Sequence, residues 1–405
     1  MVSVHEDLLA PDAVEDPYTY FGKLREEDPV HWNPLYETWV ITRYDEVVWA
    51  LRHPEFFSSE VFLRDPRPPY PTILDEDTGL YDFNKTYLSH WFIRRDPPDH
   101  GRMRKIPHLQ FSPKYIEQRF RTMVQDIIQS LVQQVGGKGE MDVIHDFAAP
   151  LPILVIAEWL GFPREDREFL RQTSRGVLAI DEAAADRNER TAKALLTFKE
   201  YINPFVEERL AHPRDDLLSL MAAAEGQGGM ARDEIVGNLI LLLIAGHQTT
   251  INLIANSTLA LMRYPEQWER FKRDPALTVR ATEELLRYDG PVKRAPRIAA
   301  EDIEMHGRAI RKAERVLLVL SSANRDPRQF ADPDRLDLTR HPNPHVAFGG
   351  GIHHCLGVNL AKLEGQEAMK ALVQRFPPFS LATEQLAYQP LLNLRALTGL
   401  SVSWT

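Results

Sequence analysis

The segment Phe348-Gly349-Gly350-Gly351-Ile352-His353-His354-Cys355-Leu356-Gly357 packs four glycines, two histidines and the chain's single cysteine into ten residues. Three successive glycines let a backbone turn tightly and approach a flat object closely. The run Val358-Asn359-Leu360-Ala361-Lys362-Leu363-Glu364 predicts a helix opening at Gly357. Its first N–H groups and positive dipole end favour a thiolate at Cys355 over the thiol. A lone thiol forms no intramolecular disulfide, and no second cysteine exists for a structural zinc or iron-sulfur site. Two other readings compete: a single cysteine is often a small buried hydrophobe, and a nucleophilic cysteine wants a similar setting. An acylating or redox role leaves Phe348 and the glycine triplet unexplained.

Upstream, a helix is predicted from about Asp233-Glu234, acids suited to a first turn, through Leu239-Ile240-Leu241-Leu242-Leu243-Ile244 to about Met262. About 30 residues at ~1.5 Å each span ~45 Å, the width of a whole domain, so this helix belongs at the centre. Its apolar run is interrupted by Ala245-Gly246-His247-Gln248-Thr249-Thr250. Burying such groups without partners costs roughly 1 to 3 kcal/mol each. The threonine hydroxyls either bond back to carbonyls one turn earlier or serve a site.

The remaining chain bounds the class. With 405 residues, 43% hydrophobic and 26% charged, it reads as globular. At ~150 residues per domain the length suggests two or three domains, but no linker supports a split, so residues 1–405 are expected to form one. The start, Met1-Val2-Ser3-Val4-His5-Glu6-Asp7, lacks the basic and apolar regions of a secretory signal, and no apolar run approaches the ~18 residues of a membrane span. A cytoplasmic protein without a membrane anchor is expected. A net charge of -10 argues against nucleic acid as a partner. Pro29 to Trp32 and Thr38 to Thr42 predict a small antiparallel hairpin, and a helix follows from Tyr44 to His53-Pro54. Ser58 to Pro97, rich in Pro66, Pro68, Pro69, Tyr70, Pro71, Tyr81, Phe83, Tyr87, Trp91 and Phe92, reads as a long irregular lid. From Pro113 to Phe271 helices dominate, with breaks near Gly136-Gly137, Gly161-Phe162-Pro163, His212-Pro213 and Gly226 to Gly229.

Four motifs, agreeing in order and spacing, resemble those of the cytochrome P-450 haem-thiolate monooxygenases of the soluble bacterial type, nearly end to end. Phe348 to Gly357 resembles the cysteine-ligand loop, and Ala245 to Thr250 the oxygen-activation segment. Glu284-Leu285-Leu286-Arg287 resembles the Glu-x-x-Arg helix, and Asp96 to Arg104 the haem-edge helix. The resemblance implies a mainly α fold with small β-sheets (α+β), a long central helix over haem b, and Cys355 as axial iron ligand. It places Phe348 beneath the ring, Gly351 and Gly357 in the loop, and amides after Cys355 on the sulfur. His100 and Arg104, four apart on one helical face, would share one haem propionate, while Arg297 and His353 would hold the other. Glu284 and Arg287 would form a buried structural network with Arg335 as third member.

Ala245 and Gly246 would mark a local opening of the long helix, and Thr249 would hold a water at the distal oxygen. Gln248 departs from the family, which usually places an acid there to relay protons; a carboxamide cannot ionise. Proton supply would then use another water chain, His247 or the substrate. The implied reaction inserts one oxygen atom of O2 into a lipophilic small molecule, by hydroxylation or epoxidation. No Gly-x-Gly-x-x-Gly follows a strand, and about 48 residues after Gly357 are too few for a flavin domain. Electrons would therefore come from NAD(P)H through a separate ferredoxin reductase and ferredoxin, docking where Lys105, His354 and Lys362 face an acidic partner. By family position the pocket is lined by Trp91, Phe92, Leu241, Ile244, Ala245, Val292 to Pro296, Leu391 and Leu392. Two alternatives stand beside this reading: a peroxide-driven haem peroxygenase and a non-catalytic haem-based ligand sensor.

Overall fold

The computed structural model describes residues 6–65, 78–178, 186–226, 228–383 and 385–405, mostly helical, and its core is arranged around the helix Arg232–Arg263. The Glu234 carboxylate accepts the Ala231 N–H at 2.9 Å and starts this helix. Pro265 ends it by forcing Tyr264 out of the α region. Leu239 to Ile244 are apolar on every face and buried, in a helix against which Pro150–Leu160, Thr278–Asp289 and Val358–Arg375 all pack.

Among the described residues ten short strands form three sheets: β1 (Val30–Asn33), β2 (Thr38–Ile41), β3 (Phe57–Ser58), β4 (Glu140–Asp142), β5 (Arg294–Ala299), β6 (Ile303–Met305), β7 (Arg308–Ile310), β8 (Arg315–Val319), β9 (Ser380–Leu381) and β10 (Ser401–Ser403). The largest sheet runs β1-β2-β8-β5-β3. The expected hairpin is β1-β2, antiparallel, with Val30 opposite Ile41. Its turn is held by Asn33, whose Oδ1 accepts the Tyr36 N–H at 3.0 Å. β2 then pairs in parallel with β8, and β8 pairs antiparallel with β5, which carries Pro296 and Arg297 to the centre.

The predicted helix breaks fall at Gly136, Gly161 and His212; Gly161 takes φ 84°, a left-handed cap glycine tolerates. Ser58 to Pro97 is not the irregular lid expected. Helices Val61–Arg64 and Thr78–Leu88 and the turn Phe92–Arg94 occupy its described parts. The second of these helices lies against Arg187–Ala211 with Tyr81 and Tyr87 buried, so the aromatics are core. Pro66, Pro68, Pro69, Tyr70 and Pro71 lie outside the described residues. Among the described residues two apolar helical stretches have membrane-like length and hydropathy after all, Val143–Leu160 and Arg232–Arg263, but 67% and 78% of their most apolar 18-residue windows is buried inside the protein. Core packing accounts for their composition.

Candidate active site

A cavity of about 380 Å³ opens between the long helix and the cysteine loop. Ala245, Gly246, Thr249 and Thr250 form one wall; Phe348, His353, Cys355 and Gly357 form the opposite one. Phe92, Arg104, Leu241, Val292, Pro296 and Arg297 complete the lining. The glycines are there for space. At Gly351, with φ 62°, a Cβ would lie 2.2 Å from the Leu51 carbonyl oxygen; at Gly246 it would press on Ile156 Cδ1 at 3.0 Å.

The loop closes on itself through the Cys355 N–H, which donates to the Phe348 carbonyl at 3.0 Å. Burial pushes the Cys355 thiol up, against the Gly357 N–H and the Arg104 guanidinium, which pull it down. The Gly357 N–H at the helix start favours the thiolate, as the dipole predicts, while burial opposes it. This disfavours the free-nucleophile reading, because a reactive cysteine needs a depressed pKa. A cation at the sulfur would reverse the balance.

The rim is cationic. Arg104 donates to the His354 carbonyl. Arg297 is buried and lowered to about 10 by desolvation, with its Nη1 donating to the Pro296 carbonyl at 2.8 Å. His353 has no hydrogen bond on either ring nitrogen, and Asp96 is 3.8 Å away. His100 does not line the cavity; its ring packs behind His353 with centroids 4.4 Å apart, and its Nε2 is unbonded. Burial, then the nearby charges of His353 and Arg104, lower His100 to about 4. Buried donors that disfavour their own positive charge suit a carboxylate partner.

The long helix runs unbroken through Ala245 to Thr250, so the expected local opening is absent. The hydroxyls bond back one turn: Thr249 to Ala245 O at 2.8 Å and Thr250 to Gly246 O at 3.3 Å. His247 faces away from both cavities. Its Nδ1 bonds the Leu243 carbonyl at 2.8 Å, and burial lowers it to about 4, so it is neutral and no proton source. Gln248 lines a second cavity of about 310 Å³ with Trp91, Leu391 and Leu392. The two cavities share Val61, Arg94, Pro296, Arg297 and Asn393. Ile244 is buried but lines neither.

The first cavity has a buried acid in its own wall. Glu364 lines it, is 1% exposed, and neither carboxyl oxygen has a hydrogen bond within normal range. Burial pushes its carboxyl up to about 8, and the neighbouring Thr250 hydroxyl offsets little of that. Its sequence signal was available: Leu360, Glu364, Ala368 and Leu372 form one i,i+4 stripe, with an acid amid apolar residues.

Glu284 and Arg287 are both fully buried and joined at 2.7 and 2.8 Å. Their third member is Arg340, not Arg335. Arg340 Nε donates to both Glu284 oxygens at 3.1 Å. Arg335 points to solvent and offers only its carbonyl, 3.3 Å from Arg287 Nη2. Leu336, fully buried, turns the chain so that Arg335 faces outward.

Residues 184–385 match the family model described as Cytochrome P450. The chain is 35% identical over 411 residues to the biotin biosynthesis cytochrome P450 of Bacillus subtilis, covering all of both. It is 35% identical to the 6-deoxyerythronolide B hydroxylase of Saccharopolyspora erythraea, covering 98% of each. The crystal structure of P450BioI in complex with hexadec-9Z-enoic acid ligated acyl carrier protein superposes with a TM-score of 0.89 at 34% identity, covering 98% of this chain and all of that one. With this fold and cavity, the chain belongs to the cytochrome P450 family of haem-dependent monooxygenases. The residues present suit the family's haem: a glycine-lined slot, a sulfur in one wall, and unbonded buried donors at the rim.

Proposed function

We propose that Cys355 holds haem b through its sulfur and that the enzyme inserts one oxygen atom from O2 into a lipophilic small molecule. The observation that carries this reading is that Cys355 and Thr249 line opposite walls of one cavity. Haem bound by thiolate supplies the electron donation that favours O–O cleavage. The chain supplies the rest. Arg104 and His353, backed by His100, and Arg297 would hold the propionates. Phe348 would pack against the ring, and the Gly357 N–H would steady the sulfur.

Thr249 donates its proton to Ala245 O, which leaves its oxygen lone pairs free to accept from a water in the cavity, where it would support oxygen activation. Gln248 cannot ionise. Protons come instead from Glu364, neutral at pH 7, through the Thr250 hydroxyl beside it. Apolar Leu241, Val292, Leu391 and Leu392 exclude water and receive a lipophilic substrate, continuing from the first cavity into the second. The relatives named for biotin biosynthesis and 6-deoxyerythronolide B, and the structure holding a fatty acyl carrier protein, favour acyl or polyketide-like substrates. Electrons come from NAD(P)H through a ferredoxin reductase and ferredoxin in the cytoplasm.

Screening lipophilic acids, lactones and steroids for the shift of haem iron from low to high spin tests the substrate class; a library hit only by polar compounds contradicts it. Hydrogen peroxide alone sustaining full turnover would instead favour the peroxygenase reading. Substrate binding without turnover, given competent electron donors, would favour the sensor.

A further inference from the structure

Next to the buried Glu284, Glu283 turns the other way, toward the cysteine loop. Its carboxylate accepts from His345 Nε2 at 3.0 Å and from Lys362 Nζ at 2.7 Å. Burial alone would raise its pKa; these two hydrogen bonds outweigh burial and hold it below the usual carboxylate range. The other nitrogen of His345, Nδ1, accepts the Ala347 N–H at 3.2 Å. That fixes the tautomer: Nε2 carries the proton and faces Glu283. Ala347 precedes Phe348, whose ring centroid is 6.2 Å from that of His345 and whose carbonyl accepts the Cys355 N–H.

Lys362 closes the arrangement from the opposite side. It belongs to the helix that follows Cys355, its ammonium stands 5.5 Å from the centre of the Phe348 ring, and its side chain is 30% exposed. Lys105 and His354 are exposed on neighbouring segments. Three elements thus meet at one carboxylate: the helix Thr278–Asp289, the loop leading to Phe348, and the helix Val358–Arg375. The exposed cation and the buried imidazole share it.

We propose that Glu283 is a positioning residue that fixes the backbone of the cysteine loop through His345, and that Lys362 is shared between Glu283 and an acidic electron-donating protein. This rests on the reading of Cys355 as the haem ligand and of an acidic ferredoxin as donor. A carboxylate of the docked protein competes with Glu283 for Lys362, so docking at the surface is transmitted to Phe348 and Cys355. Electrostatics fixes the signs. Removing an anion near the iron destabilises the ferric state and raises the reduction potential, whereas removing a cation lowers it.

The haem-loaded enzyme and its Glu283→Gln, Glu283→Asp and Lys362→Gln variants provide the test, with an acidic [2Fe-2S] ferredoxin as probe. Glu283→Gln is expected to raise the potential, bind the ferredoxin several-fold more tightly because Lys362 is released, and speed amide hydrogen exchange across residues 346–355. Lys362→Gln is expected to lower the potential and weaken binding several-fold. Glu283→Asp should restore the protection of the loop. Potentials that move in the same direction in the Gln variants, or loop exchange unchanged by Glu283→Gln, overturn the proposal. A wild-type carbon monoxide spectrum without thiolate character marks failure of the haem-ligand reading instead, and hydrogen exchange reads the loop independently of it.

Discussion

Glu364, on the helix that follows the cysteine, sets its carboxyl beside the Thr250 hydroxyl of the long central helix, both in the wall of the larger cavity. Its pKa of about 8 in the folded protein lies above that of an exposed glutamate, about 4.3. Between these values the folded state binds more protons than the unfolded state, so this group's contribution to stability falls as pH rises. It is complete below about pH 4.3 and lost by about pH 8, amounting to several kcal/mol at ~1.4 kcal/mol per unit. Glu364→Gln should remove that slope and unfold at higher denaturant than the parent above pH 8. Parallel pH dependences in parent and variant would place an ionised carboxylate at this position.

Arg340 and Arg335 separate cleanly. Arg340→Ala removes charge-assisted hydrogen bonds to a buried carboxylate and should cost about 1.5 to 3 kcal/mol in urea unfolding, with poorer haem incorporation. Arg335→Ala removes an exposed side chain and should stay within about 0.5 kcal/mol. The reverse order would restore Arg335 to the network.

Both the motif and the limit of what it tells are visible in that pair. The cysteine loop, the long helix and the Glu-x-x-Arg helix are legible because their signals are local: clustered glycines, an apolar run with acids at its start, and an i,i+3 spacing. Which arginine completes the network depends on the path of residues 332–340, where Leu336 is buried and Arg335 is turned outward. No local signal encodes that. The same holds for Glu283, His345 and Lys362, which only three converging elements bring together. β4 is likewise invisible locally, because its partner β10 lies at the opposite end of the chain. At Cys355 the opposing effect is also non-local: the helix end stabilises the anion, whereas the burial that raises the thiol comes from the packed fold.

Gly351→Ala should be poorly tolerated, since the added methyl meets the Leu51 carbonyl and φ is left-handed. Roughly 1 to 3 kcal/mol of strain falls on the loop itself. The expected result is a lower melting temperature with reduced haem retention; unchanged values would show that the loop adjusts freely.

Gln248→Glu places an acid in the second cavity, which adjoins the one that Glu364 lines. If proton supply limits the parent, the share of reducing equivalents lost as hydrogen peroxide should change about two-fold or more, within the usual reach of a positioned acid. Coupling and rate both unchanged would remove position 248 from the proton path.

The central claim is that Cys355 is the haem ligand, and the carbon monoxide difference spectrum of the reduced enzyme tests it most directly. The account predicts a Soret band at the position diagnostic of thiolate ligation, lost in Cys355→Ser without loss of the folded structure. A Soret band of imidazole-ligated or unligated haem in the parent, or an unchanged band in Cys355→Ser, would contradict it.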